Sequence, residues 1–263
     1  MSSFDSFAVV DWSAASTLSP KRPSKDAIWI GIVRHGAQPE TIYCRGRQEA
    51  EDRLADIITQ EQAAGRRLLL GFDFPFGYPH GFARRVAGSD DPLVLWDWLA
   101  ARITDTADNV NNRFDVAEEI NAKFDGPGPL WGKTHKDRWP GVPYSKKSVS
   151  FDVVAEKRRC DIVAKAASSC FQLCYHPTVG SQILTGLPML SRLRRLEHVA
   201  VWPFQNTEAS KTVLVEIWPG LIEDAVRAAE DVAHVRDAKQ VALLAQALSR
   251  VAPGELMLSL IHI

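Results

Sequence analysis

The sequence lacks several features that would place the protein in a special class. It has no apolar run of the roughly 18 residues that are needed to span a bilayer. Its first residues, MSSFDSFAVVDW, have neither the basic start nor the small-residue cleavage site of a secretory signal peptide. Its four cysteines form no CxxC pair, which argues against a zinc knuckle and a disulfide framework. These absences predict a cytoplasmic protein that does not enter the membrane.

An excess of charge of one sign is also lacking. The chain has 31 Lys and Arg residues against 32 Asp and Glu residues, so its formal net charge is −1. The whole molecule therefore offers no broad positive field to a nucleic-acid backbone, and any such binding would need local patches. What is present is an ordinary globular composition, with 46% hydrophobic and 24% charged residues, which argues against extensive disorder.

The length of 263 residues exceeds that of most single domains, but α/β folds of this size often remain one domain with an insertion. We therefore expect residues 1–257 to form one domain. Between Pro79 and about Leu196 the strand patterns fade and helical patterns appear, which predicts a mainly helical inserted lobe at about 80–197. The sequence does not indicate an oligomeric state.

The last six residues, 258–263, read LSLIHI. They match the translation of CTGTCTCTTATACACATC, a transposon end that is used as a sequencing adaptor. We expect this tail not to be native and the natural chain to differ after about Met257, so that His262 has no functional weight.

Short apolar runs predict the strands of an α/β sheet. These runs are Phe7 to Trp12, Ala27 to Val33, Glu40 to Cys44, Arg67 to Phe72, Val199 to Phe204 and Thr212 to Trp218. Between the third and fourth runs, apolar residues from Ala50 to Ile58 recur at helical spacing, and Gly65 follows as a helix stop. Two more helices are predicted near 221–229 and at 237–251.

Three of these predicted strands end in an acid. Their ends read AVVDW, LLGFDFP and LVEIWP, and the acids are Asp11, Asp73 and Glu216. If the strands are parallel neighbours, their carboxyl ends form one edge of the sheet, which is where open α/β folds bind ligands. A fourth acid, Asp237, lies on the apolar stripe of the last predicted helix and should face the sheet. We therefore predict that these four acids converge and act as catalytic and metal-binding residues.

A cluster of carboxylate oxygens suits Mg²⁺ or Mn²⁺ better than zinc. Two such ions about 3.5 to 4 Å apart can stabilise the attacking and the leaving oxygen of a phosphodiester displacement, with water as the nucleophile. Each acid alone also has a structural explanation, because a strand-terminal Asp often caps a turn and Asp237 suits the positive end of a helix. The joint pattern favours the functional explanation.

The motifs VVDWSA, GFDFPFGYP, VEIWP and RDAKQVALLAQAL resemble the bacterial family known as domain of unknown function 429, over nearly the whole chain. They are also similar to the pattern of the ribonuclease H-like superfamily, which includes Holliday-junction resolvases and transposases. This resemblance implies an α/β fold with a mixed five-stranded sheet, flanking helices and a mainly helical insertion. It implies metal-ligand roles for Asp11, Asp73 and Asp237, with Glu216 in place of a further acid near the fifth strand.

The resemblance leaves two kinds of function open. The favoured one is a divalent-metal-dependent hydrolase that acts on phosphodiesters of nucleic acid or a nucleotide. Some relatives carry a label concerning molybdopterin guanine dinucleotide synthesis, so the alternative is a non-catalytic or accessory protein that binds a phosphorylated cofactor. The sequence has no GxxxxGK[ST] phosphate loop. Transfer from ATP is disfavoured, because Trp12 stands where sugar kinases and actin-like ATPases have a glycine.

A glycine- and proline-rich stretch that begins at Gly126 combines backbone freedom with cations and indoles. Such a loop could close over a metal site, with Lys133 or Arg138 meeting phosphate oxygens and Trp131 stacking on a base. An equally good explanation is a solvated loop whose tryptophans pack on the core.

Overall fold

The computed structural model describes residues 4–34, 36–164, 167–229 and 235–251. The predicted tail at 258–263 lies outside these described residues. The chain divides into two compact units. The sheet unit comprises Met1–Phe74, Thr106–Val110 and Leu193–Ile263, and the helical unit comprises Pro75–Asp105 and Asn111–Arg192.

The strands are β1 (Ser6–Asp11), β2 (Ile28–Arg34), β3 (Glu40–Cys44), β4 (Leu68–Phe72), β5 (Val199–Val201) and β6 (Thr212–Glu216). The helices are α1 (Arg47–Ala63), α2 (Phe82–Ala87), α3 (Pro92–Ala100), α4 (Arg113–Asn121), α5 (Arg159–Val163), α6 (Val179–Leu193), α7 (Glu223–Ala228) and α8 (Arg236–Arg250), with 3₁₀ turns at Lys146–Ser148 and Pro219–Ile222. The fold is therefore α/β. No helix in the described ranges is both long and apolar enough to cross a membrane.

The sheet is mixed and has the strand order β3-β2-β1-β4-β6-β5. Strand β2 runs antiparallel to its two neighbours β1 and β3, whereas β1, β4, β6 and β5 run parallel. The prediction of five strands is wrong, because Val199–Val201 adds a sixth strand beside β6. This edge strand is shorter than its apolar run, since Pro203 has no amide hydrogen with which to continue a ladder.

Helix α8 packs against one face of the sheet. Alternate residues of the central strands, among them Val9, Leu69 and Val215, share a buried apolar core with Val241 of α8. Helix α8 comes very near to the sheet at Gly31 of β2, where a Cβ atom would lie 2.5 Å from the backbone carbonyl of Val241. Because side chains alternate along a strand, residues two apart from these core positions point towards α8 as well.

The amino end of β1 is fixed by a buried carboxylate. Glu61 of α1 accepts a hydrogen bond from the Ser6 hydroxyl at 2.5 Å. It also accepts from Arg34 Nε at 2.9 Å and from Arg66 Nε at 2.5 Å. Its side chain is completely buried, so three donors together satisfy a charge that has no contact with water.

The helical unit has a buried core of its own, which contains aromatic as well as aliphatic side chains. Phe76 and Trp96 meet edge to face, and the Trp96 indole donates a 2.8 Å hydrogen bond to the Phe76 carbonyl oxygen. Helix α3 begins where the Asp91 side chain accepts from the backbone NH of Leu93, as a Ser, Thr, Asp or Asn at this position commonly does.

Candidate acidic site at the sheet edge

Asp11 and Asp73 stand side by side at the carboxyl ends of two parallel strands. Val10 of β1 is in register with Phe72 of β4, and each acid is the next residue along its strand. The Asp73 backbone NH donates to the Val10 carbonyl oxygen at 3.2 Å, and the backbone NH of Trp12 donates to Asp73 Oδ1 at 2.9 Å. These contacts bring two of the predicted site residues together.

Asp237 approaches the same edge from α8. It is the second residue of that helix, with 9% of its surface exposed. Its Oδ2 atom accepts a 2.8 Å hydrogen bond from the backbone NH of Asp26. Asp26 has a left-handed backbone with φ of +60°, and its carbonyl oxygen accepts from the Ser13 hydroxyl at 2.9 Å. The loop between β1 and β2 thereby positions Asp237.

The three acids act on one another electrostatically. Burial raises the pKa of Asp11 well above its ordinary value, and repulsion by Asp73 and Asp237 raises it further. Burial also raises the pKa of Asp73 to about 7, although hydrogen bonds from Trp12 and Asp11 oppose this effect. Because the pKa values of both acids are raised, the Asp11–Asp73 pair retains a proton to higher pH than isolated carboxyls do, and the two groups titrate together.

Arg236 is a positively charged neighbour of this cluster. Its charge lowers the pKa of Asp11, and its Nη1 atom lies 3.8 Å from Asp237 Oδ1. It also forms an ion pair with Glu223 at the start of α7, and 54% of its side chain is exposed. Sequence reasoning missed Arg236, although its place directly before Asp237 is a usable signal.

Glu216 is directed away from these three acids. It ends β6, in register with Phe72. Its neighbours Val215 and Ile217 both belong to the core that α8 covers, so alternation directs the Glu216 side chain to the opposite face of the sheet. The structure therefore brings together three of the four predicted acids.

The predicted substrate-binding residues lie in the helical unit. Lys133 is 5% exposed, and its Nζ atom donates to the carbonyl oxygens of Arg138 at 2.8 Å and Trp139 at 2.9 Å. Trp131 is half-buried, and its backbone pairs with Phe171 and Leu173. Arg138 is exposed, with its guanidinium 4.2 Å from the centre of the Trp139 ring. The Lys133 ammonium thus holds its own loop together, whereas Arg138 presents a cation to solvent.

The cluster offers carboxylate oxygens to a ligand. Within the part of the chain that the structure describes, no three Asp, Glu, His or Cys side chains are arranged as a ready-made metal site. Asp73 and Asp237 each accept a hydrogen bond from a backbone NH. A proton that the Asp11–Asp73 pair retains reduces the repulsion among the acids, as a bound cation also would. The donor set fits a hard divalent cation, which would displace this proton on binding.

The chain was compared with models of protein families, with curated proteins and with solved structures. None of these three comparisons found a match. The functional assignment therefore depends on the geometry and charge of the acidic edge.

Proposed function

We propose that the sheet unit is a ribonuclease H-like, divalent-metal-dependent hydrolase that acts on phosphodiesters of nucleic acid or a nucleotide. The observation that carries this proposal is the convergence of Asp11, Asp73 and Asp237 at the carboxyl edge of the sheet. The element order supports it, since three strands, a helix and a fourth strand also begin a ribonuclease H-like sheet.

Each residue has a distinct part in the proposed chemistry. Asp11, Asp73 and Asp237 would hold Mg²⁺ or Mn²⁺, which when bound supplies the positive charge that stabilises the oxygens of a phosphodiester displacement. The Asp11–Asp73 pair would release the proton that it retains as the cation enters. Arg236, half-exposed beside Asp237, would meet a non-bridging phosphate oxygen and neutralise part of its charge.

Calorimetric titration with Mn²⁺ tests the proposal directly. We expect wild-type protein to bind Mn²⁺ and to release protons, so that the heat depends on the ionisation enthalpy of the buffer. Asp11→Asn should bind at least about tenfold more weakly, because the amide has neither charge nor a releasable proton. The matched control is Asp56→Asn, which changes an exposed acid on α1 and should bind as wild type does. Absence of Mn²⁺ binding to the wild type would refute the proposal.

Two further measurements define the site and the reaction. Glu216→Gln should weaken Mn²⁺ binding less than Asp11→Asn does, because Glu216 is directed to the other face of the sheet. Hydrolysis of bis(p-nitrophenyl) phosphate should require Mn²⁺ and be lost in Asp11→Asn. Mn²⁺ binding without hydrolysis of this ester or of oligonucleotides would favour the non-catalytic alternative, a protein that binds a phosphorylated cofactor.

A further inference from the structure

Two tyrosines stand exposed beside each other on the helical unit. Tyr144 is 42% exposed and Tyr175 is 51% exposed. Their ring centres lie 6.1 Å apart in an edge-to-face arrangement, and their hydroxyls share a 2.8 Å hydrogen bond. A polar contact therefore orients the pair while much of both rings stays open to solvent.

The backbone around this pair adopts conformations that bulky residues rarely take. Tyr175 has φ of +64° and Trp139 has φ of +51°, both in the left-handed region that favours glycine. Gln172 maintains the conformation at Tyr175, because its amide donates to the Tyr175 carbonyl oxygen at 2.5 Å. Such strain persists where surrounding contacts fix it, and it is concentrated at binding sites. The Gln172 amide thus fixes the backbone that carries the exposed Tyr175 ring.

The same stretch of chain is strongly basic. Residues 131–149 contain five Lys and Arg residues and one acid, Asp137, which gives a formal charge of +4 in a chain whose net charge is −1. The five cations are Lys133, Lys136, Arg138, Lys146 and Lys147. Lys133 is buried by its own loop and Lys146 pairs with Glu156 at 2.6 Å. Lys136, Arg138 and Lys147 are exposed, and Lys136 Nζ lies 5.4 Å from the Tyr144 ring centre.

We propose that Tyr144 and Tyr175 form a stacking surface for the bases of single-stranded nucleic acid. Lys136, Arg138 and Lys147 are the residues that meet its phosphates. Exposed rings accept any base by its π-face, and neighbouring cations follow the backbone. A duplex keeps its base faces covered, so the surface selects single strands. That single-stranded nucleic acid is the substrate rests on the proposed hydrolase function, but binding to the tyrosines and lysines needs no metal.

The test is fluorescence anisotropy of a labelled thymidine oligonucleotide in EDTA. We expect wild-type binding that weakens as salt rises. Tyr144→Ala and Tyr175→Ala should each weaken it about tenfold, since stacking contributes about that factor per base. The double variant Tyr144→Phe, Tyr175→Phe keeps both rings and should bind as the wild type does. Lys136→Gln with Lys147→Gln should lower affinity and the salt dependence, whereas Lys21→Gln, an exposed lysine of the sheet unit, should do neither.

Each outcome decides the proposal. Wild-type affinity in both Ala variants would overturn it. Competition by polyglutamate that is as effective as competition by unlabelled oligonucleotide would also overturn it, because it would show that binding requires negative charge and not bases. Thermal unfolding reports whether the Ala variants fold, and the lysine variants test the proposal independently if they do not. Because EDTA removes divalent ions, failure here leaves the Mn²⁺ titration at the acidic edge unaffected, and the reverse also holds.

Discussion

The two ends of β1 differ in the groups that surround a buried carboxylate. At its start, Ser6 helps Arg34 and Arg66 to surround Glu61 with donors. At its end, Asp11 faces the further acids Asp73 and Asp237, and two backbone NH donors and the charge of Arg236 reduce the repulsion among them. The residues that pack between these ends are alike in burial. What differs is whether the surroundings supply partners for the negative charge.

The pKa values express this difference. Burial alone would raise the pKa of Glu61, but hydrogen bonds from Arg66, Ser6 and Arg34 lower it to about 2. Burial and neighbouring acids raise the pKa of Asp11. A buried carboxylate that has positively charged donors around it stabilises the fold. A cluster of acids without such donors lowers the stability of the fold, and binding of a cation to the cluster raises that stability again. The start of β1 is therefore structural, and its end has the properties of a binding site.

The largest expected effect on stability comes from removing the charge of Glu61 at the start of β1. Glu61→Gln leaves Arg34 and Arg66 without their buried negative partner, so we expect the free energy of unfolding to fall by about 3 kcal/mol. Urea denaturation monitored by circular dichroism measures it. Glu40→Gln is the control, because Glu40 also pairs with Arg34, at 3.2 Å, but its side chain is 65% exposed. The control should lose less than about 1 kcal/mol, and equal losses would contradict the structural role of Glu61.

The same carboxylate predicts an acid-sensitive stability. The folded pKa of Glu61 is lowered from 4.5 to about 2, so its contribution is fully present above the unfolded value. It is lost as the pH falls from about 4.5 to about 2. The stability difference between wild type and Glu61→Gln should shrink across this window, as measured by urea denaturation at several pH values. A difference that stays constant down to about pH 2 would rule out a depressed Glu61 pKa.

Local sequence patterns predicted much of the sheet because most of its strands are short apolar runs that are buried along nearly their whole length. Every apolar run that was expected to be a strand forms one, and α1 lies where the stripe from Ala50 to Ile58 placed a helix. Helix α6 (Val179–Leu193) was not predicted, since Gly180 and Pro188 interrupt its pattern. The expected number of five strands was wrong because it came from the family resemblance. The apolar runs in the sequence are six, as are the strands of the sheet.

The acidic edge was only partly predictable. Asp11 and Asp73 follow from strand ends, but Glu216 shows that the end of a strand is not sufficient. The face follows from the alternation of Val213, Val215 and Ile217. The sequence does not show this face, because Leu214 between them is apolar too, and only the packing of α8 identifies it. Asp26 could not be found this way, because its hydrogen bond to Asp237 joins residues 211 positions apart. Such a contact exists only once the whole sheet is assembled.

The binding properties of the acidic end of β1 can also be tested by a substitution that shifts α8 relative to the sheet. Gly31→Ala places a Cβ atom 2.5 Å from the Val241 backbone, so the helix must shift, at a cost of about 2 kcal/mol. Asp237 lies one turn earlier on α8 and should shift too. We expect weaker Mn²⁺ binding by calorimetry together with a lower free energy of unfolding. Gly77→Ala is the control, since a Cβ there meets nothing within 4 Å. Unchanged Mn²⁺ affinity in Gly31→Ala would show that the position of α8 does not set the site.

The smallest expected effect has the opposite sign. Asp11→Asn keeps a group that can donate to Asp73 and removes one ionisable acid from the cluster, so in EDTA we expect unfolding to cost about 1 kcal/mol more than in wild type. A folded-state pKa that is raised contributes stability at low pH that is lost as the pH rises, so the gain should be larger at about pH 8 than at about pH 5. The exposed Asp56→Asn should change stability by less than about 0.5 kcal/mol. If Asp11→Asn were instead less stable than wild type, Asp11 would resemble Glu61, and the contrast between the two ends of β1 would disappear.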